Sequence, residues 1–568
     1  MMRRRTRRIL ILLVVFVIAA LIVRYALRGP TIAADSYLVL EIGGSYAEAP
    51  PQDIFGRLLR RETRTVLDLL NLIRTARADN RIKGMIAKIS SLEIGWAKTQ
   101  DLRDALLDFK QSGKTLVALL QPESGSNQEY YLATASDRIY LSPDVTTPLT
   151  GLSAQFVFLG GLWGKLDIEM DVEKIGQYKT AGDTLAAREM TPAHREMADS
   201  LLDSVDGQFI SGLATARRLE AASLRNLIDQ APVSPANFES AHLSDGTKHL
   251  QDIHDELGGE QTPLVPMEDY AHVDPKSLGL DTGPRIAVVF AAGLITSGES
   301  GSSFQGETVG ADSLTDALKE AAEDAETRAI ILRIDSPGGS ALASDAVWRA
   351  TQHARKSKPL IVSMSDVAGS GGYYIAAGAN RIVAQPGTLT GSIGVVMARP
   401  NLRGLLGRMG INTETLRRGK FADLDSTLTP LTPAGREKLV AQIDHIYDVF
   451  VARVTSGRTM TAERVDEIGR GRVWTGAQAR ENGLVDQLGG FMAAVQAAKE
   501  AAGIAAAEEV ELTYFPEPKT FLERISQIVD ARVIDTIPVT WLQPLRLLLL
   551  PFQDGSLLAL MPEVIEID

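Results

Sequence analysis

The chain repeats itself, and this restricts its fold more than any other feature. Tyr130-Tyr-Leu-Ala-Thr-Ala-Ser-Asp-Arg-Ile139 returns as Tyr373-Tyr-Ile-Ala-Ala-Gly-Ala-Asn-Arg-Ile382, an offset of 243 (373 − 130). Leu149-Thr-Gly151 returns as Leu389-Thr-Gly391 at an offset of 240 (389 − 149). Thr191-Pro-Ala-His-Arg-Glu196 returns as Thr432-Pro-Ala-Gly-Arg-Glu437 at 241 (432 − 191). Small insertions explain the drift. A period this long means two copies of a domain-sized unit rather than a solenoid. In each copy short apolar runs alternate with amphipathic stretches, so the expected class is α/β, a largely parallel sheet covered by helices. Thr432 is placed to cap one long helix, with Pro433 in its first turn.

The copies are chemically unequal. In the second, Pro359-Leu-Ile-Val-Ser-Met-Ser365 reads as a buried strand and leads to Val367-Ala-Gly-Ser-Gly-Gly-Tyr-Tyr-Ile-Ala-Ala-Gly-Ala379. Ser370 thus sits on a tight strand-to-helix turn with an exposed hydroxyl, the geometry of a serine nucleophile. An incidental serine in a glycine-rich turn is the plainer reading of that stretch alone. A second stretch shifts the balance. Ala329-Ile-Ile-Leu-Arg-Ile-Asp335 is another buried-strand pattern, ending in Ser336-Pro-Gly-Gly-Ser340 before a helix from Ala341 to Lys356. Amides of Gly338 or Gly339, together with that of Gly371, can hold a tetrahedral oxyanion. In the first copy the offset puts Asn127 where Ser370 stands, and Ser90-Ser-Leu-Glu-Ile94 replaces the glycine turn.

A serine nucleophile needs a base. His353 falls on a helix facing solvent or a partner, and His445 falls in a long helix where it is expected to pack. That leaves a Ser-Lys dyad, with Lys179 and its repeat equivalent Lys420 as candidates. The lysine must be neutral to act, so burial must lower its pKa. Ser392, in Thr390-Gly-Ser-Ile-Gly394, either orients that lysine or satisfies its own turn.

Composition removes other chemistries. There is no cysteine, and the seven histidines form no His-x-x-x-His or His-Glu-x-x-His grouping, so thiolate and zinc chemistry are not expected. Residues 1–28 carry seven arginines and no acid, leaving the remainder at −19 (−12 − 7), which argues against a nucleic-acid partner. Five arginines precede an apolar run, Ile9 to Val23, extended to Leu27 past Arg24. With Arg24 snorkelling, this run is expected to span a bilayer with the N-terminus in the cytoplasm. A cleaved signal peptide is the alternative, but Ala33-Ala-Asp35 is no Ala-x-Ala site.

Asp335-Ser-Pro-Gly-Gly-Ser, Gly369-Ser-Gly-Gly-Tyr-Tyr, Leu389-Thr-Gly-Ser-Ile-Gly394 and Gly471-Arg-Val-Trp-Thr-Gly-Ala-Gln-Ala-Arg-Glu-Asn-Gly-Leu-Val-Asp486 closely resemble the signal peptide peptidase A family, also called protease IV. The likeness runs to about residue 502; Asp335 departs from the Asn that many relatives carry. The resemblance implies a tandem crotonase/Clp-protease-like fold and a serine endopeptidase that degrades released signal peptides and other short peptides. It implies a bacterial inner-membrane location, a catalytic region on the periplasmic side, a homotetrameric ring and no cofactor or metal. In single-copy relatives serine and lysine meet across protomers, and Tyr178-Lys-Thr-Ala181 looks like the family's base motif, so Lys179 is favoured over Lys420. The expected organisation is a basic tail and anchor (1–28), a degenerate copy supplying the lysine (38–270), a copy carrying the serine (284–508), and an extension of open role (509–568). In the extension, the apolar run within Val539 to Phe552 is too short to span a bilayer. Two other classes compete: a crotonase-type acyl-CoA enzyme, and a non-catalytic membrane scaffold.

Overall fold

The computed structural model describes residues 32–49, 64–123, 126–146, 148–303, 306–516 and 558–560. The basic tail, the expected anchor and the 539–552 stretch lie outside the described residues. Among the described residues no helix is long and apolar enough to cross a membrane.

Two largely parallel sheets, one from each half, form the framework. The first comprises β1 (Ser36–Gly44), β2 (Ile82–Leu92), β3 (Thr115–Leu120), β4 (Arg138–Leu141) and β6 (Leu264–Pro266), in the order β4-β3-β2-β1-β6. Helix α1 (Val66–Ala78) joins β1 to β2, α2 (Trp96–Gln111) joins β2 to β3, and α3 (Asn127–Ala133) joins β3 to β4. The second half repeats this plan. It has β7 (Arg285–Ala292), β8 (Leu294–Thr296), α5 (Ala311–Glu323), β9 (Thr327–Ser336), β10 (Gly338–Ser340), α6 (Ala341–Ser357), β11 (Leu360–Gly369), α7 (Gly371–Ala376) and β12 (Arg381–Ala384). The repeat reaches the register: Val117 pairs with Arg138 in the first copy, and Ile361 with Arg381 in the second. Strands β13 (Leu389–Gly391), β15 (Val473–Thr475) and β16 (Glu511–Phe515) complete the order β15-β13-β11-β9-β7-β16, with β12 branching from β11.

The strands of the second sheet are buried on both faces, as parallel strands usually are. Side chains alternate between two cores. Ile286, Val288, Ala329 and Ile331 join the core shared with the first copy, while Ala287, Val289, Ile330 and Leu332 join the other. One face of the second sheet therefore packs against the first copy. Burying each of the Val, Leu and Ile side chains among them contributes roughly 1.5–3 kcal/mol.

Two long helices, α4 (Pro192–Arg217) and α8 (Pro433–Gly457), start alike: Thr191 and Thr432 side chains accept the His194 and Gly435 amides, each followed by proline. A third sheet ties the halves together. Strand β5 (Glu169–Lys174) of the first copy pairs antiparallel with β14 (Val396–Asn401) of the second, from Lys174↔Val396 to Glu169↔Asn401. The sheet continues through β17 (Leu558–Leu560), β10 and β8 into two short strands.

Candidate active site

Ser370 ends β11 and caps α7, with φ 52° and ψ −109°. A side-chain-bearing residue there is strained by about 1–3 kcal/mol and needs its surroundings to hold it. They do: the Ser370 amide donates to Gly391 O at 2.8 Å, the Tyr374 amide donates to Ser370 O at 2.8 Å, and the Tyr373 hydroxyl donates to Leu484 O at 3.0 Å.

Lys179 reaches Ser370 from the first copy. Its Nζ lies 2.7 Å from Ser370 Oγ, 2.9 Å from Ser392 O and 3.0 Å from Ser392 Oγ. All three residues are fully buried. Burial drives the Lys179 pKa well below its ordinary value, and no carboxylate among the described residues restores it. The β5–β14 pairing delivers this lysine; past its end, Ile175 donates to Val395 O at 2.9 Å and Tyr178 to Arg470 O at 3.2 Å. The approach is close. A Cβ on Gly471 (φ +83°) would meet Lys179 N at 2.4 Å and its Cα at 2.5 Å. The resemblance included Gly471 without giving it this task; the Gly469-Arg-Gly471 spacing was the available signal.

Lys420 is exposed, its Nζ 5.1 Å from the Phe421 ring centroid. His353 is exposed as well. His445, expected to pack, is also exposed: α8 buries Leu439, Ile443, Tyr447, Phe450 and Val454, and position 445 falls off that stripe.

Of the three glycines expected to form the oxyanion hole, Gly371 packs against the turn that holds the other two. A Cβ on Gly371 would lie 3.1 Å from Gly339 N. The Gly338 amide is already donated, to Ser336 Oγ at 3.2 Å. Gly339 (φ +154°) admits no side chain, since a Cβ would meet Ile295 O at 2.0 Å. Strand β17 lies across this turn, antiparallel to β10 (Gly338↔Leu560, Gly339↔Ala559) and to β14 (Val396↔Leu558). In the first copy, Asn127 closes the corresponding place: its Nδ2 donates to Gly151 O at 2.9 Å, and its Oδ1 accepts the Gly151 amide at 3.2 Å.

Comparison with known proteins identifies the family. The model of peptidase family S49 matches twice, at residues 108–261 and 352–505. The chloroplast serine protease SPPA of Arabidopsis thaliana is 36% identical over 80% of this chain and 68% of its own length. Protease 4 of Salmonella typhi is 30% identical over 89% of this chain and 84% of its own. Protease 4 of Haemophilus influenzae is 28% identical over 77% of this chain and 73% of its own. The chain belongs to peptidase family S49, as a serine protease built from two tandem copies of the family's unit.

Proposed function

We propose that the protein is an endopeptidase in which Ser370 is the nucleophile and Lys179 the general base. The observation that carries this is the 2.7 Å approach of Lys179 Nζ to Ser370 Oγ in a site where burial favours the neutral amine. The peptide carbonyl is attacked by Ser370 Oγ while neutral Lys179 takes the hydroxyl proton. The oxyanion then accepts hydrogen bonds from the Gly371 and Gly339 amides, with Gly338 shaping the turn. Ser392 O and Oγ hold the transient ammonium, which gives its proton to the departing amine. Water, with Lys179 again as base, cleaves the acyl ester and frees Ser370.

The substrate is a peptide in extended form. The antiparallel lie of β17 between β10 and β14 supports this, because an added strand there matches its main-chain groups to the glycine turn. Released signal peptides and other short or unfolded peptides fit that description. The basic tail and apolar run of residues 1–27 support an inner-membrane enzyme acting on the periplasmic side, and the homotetramer rests on the family resemblance alone.

Peptide hydrolysis by Lys179→Ala, with Ser370→Ala as the dead baseline and Lys420→Ala beside it, tests the dyad. Lys179→Ala is expected at the baseline and Lys420→Ala near wild type. A dead Lys420→Ala with an active Lys179→Ala overturns the assignment.

A further inference from the structure

Away from Ser370, the least expected chemistry is a largely buried group of charges between the copies. Lys98, on α2 of the first copy, points its Nζ at three carboxylates: Asp335 at 2.6 Å, Asp366 at 3.2 Å and Glu48 at 3.5 Å. Two of these belong to the catalytic copy and stand just ahead of its two active turns. Asp335 precedes Ser336-Pro-Gly-Gly339, and Asp366 precedes Val367-Ala-Gly-Ser370.

The backbone shows why their place matters. The β9–β11 ladder runs regularly from Ile330↔Leu360 to Ile334↔Met364, then jumps to Ser336↔Ala368. Strand β11 thus carries two more residues than β9 between those pairs, a bulge of the kind that re-aims a strand end. Without it, the end of β11 would sit two residues out of step with Gly338 and Gly339. The bulged backbone is held by the same carboxylates. The Val367 amide donates to Asp335 Oδ1 at 3.1 Å. Across the copy boundary, the Asp366 carboxylate accepts the Gly95 and Lys98 amides at 3.0 and 2.9 Å, at the start of α2.

We propose that Lys98 is a positioning residue for the oxyanion hole: by bridging Asp335 and Asp366 it closes the β11 bulge and sets the Gly371 amide against that of Gly339. This rests on the Ser370 peptidase reading above. The charges agree with the geometry. Burial opposes the ammonium, yet Asp335, Asp366 and Glu48 outweigh it and hold the Lys98 pKa above its ordinary value. Burial also pushes Asp335 up to about 6 against the pull of Lys98. Asp335 therefore depends on Lys98 to stay charged near neutral pH.

The test uses the full chain, a short fluorogenic peptide, and a peptide boronate that forms a tetrahedral adduct on Ser370. Lys98→Met should lower kcat by about 10- to 100-fold, the scale of a displaced oxyanion donor. KM should stay within about twofold, and boronate affinity should fall in step with kcat. Binding of the uncleaved peptide, measured in the Ser370→Ala background, should not change. Lys98→Arg, which keeps a charge in place, should restore most of the rate. An unchanged kcat overturns the proposal. So does a loss confined to KM, or a loss that tracks only the fraction of chains the boronate can titrate. Should Lys98→Met not fold, Lys98→Gln carries the test, because it keeps a polar donor in the same place while removing the charge that bridges Asp335 and Asp366. A several-fold drop in kcat at constant KM is then expected, and no drop overturns the proposal. If wild-type protein binds no boronate at all, it is the peptidase reading that fails.

Discussion

At the scale of single residues, the site depends on one buried amine. Lys179 is useful only when neutral, and burial lowers its pKa well below that of a free lysine. The rate should therefore rise with pH through that lowered pKa and level off above it, without needing pH near 10. A kcat–pH profile that climbs only in the alkaline range of ordinary lysine would exclude Lys179 as the base. The same burial has a cost in stability, and its sign can be worked out. A folded pKa below the unfolded value near 10.4 means the unfolded chain binds more protons, so stability rises with pH across that window. The penalty is complete below the folded pKa and gone above the unfolded one. Lys179→Met should accordingly raise the melting temperature by a few degrees at neutral pH, and the gain should shrink as pH approaches 10. Thermal unfolding of both forms across that range checks it. Ser392→Ala removes one of the groups on the amine while leaving Ser392 O, so a loss of about tenfold in kcat is expected, with KM little changed.

At the scale of elements, the sequence carried the catalytic turns well and their supports poorly. Ser370 and the Ser336-Pro-Gly-Gly turn were legible because a nucleophile on a strand-to-helix turn demands glycine neighbours. The Thr432 cap was legible because capping is local. The use of the Gly338 amide by Ser336 Oγ was not, since both serine and glycine satisfy the same motif whichever amide is left free. Nor was the β11 bulge, because apolar periodicity marks a strand and says nothing of its register. Arg333 shows the same limit. It is a lone charge in an apolar run, fully buried on the face that carries Ala329 and Ile331, and its partners Glu48 and Asp101 lie in the other copy. The Lys179 segment depends on such a distant contact. Gly471→Ala would press a methyl group into the Lys179 backbone, and a displacement of that size should lower kcat by about a hundredfold while the protein stays folded. Full activity in Gly471→Ala would mean that the segment can move without carrying Nζ away.

At the scale of the whole molecule, the repeat was plain in the sequence but the interlocking of its copies was not. Periodicity reveals two units; it does not reveal that β5 of one completes a sheet with β14 of the other, or that one face of the second sheet is covered by the first copy. That interlocking brings Lys179 and Ser370 together within one chain, 191 positions apart. Mixing Ser370→Ala chains with Lys179→Ala chains should then give no activity above the two alone. Specific activity of the wild type should not fall on dilution. Recovery in the mixture would place the dyad between chains instead.

The separation of the proposed base and nucleophile also imposes an order in time. During synthesis the half bearing Lys179 leaves the ribosome first, and its own turn is shut by Asn127 and Gly151. Nothing in the growing chain can cut a peptide until the second half has emerged and docked. On the proposed dyad, the delay is thus written into the order of the two halves.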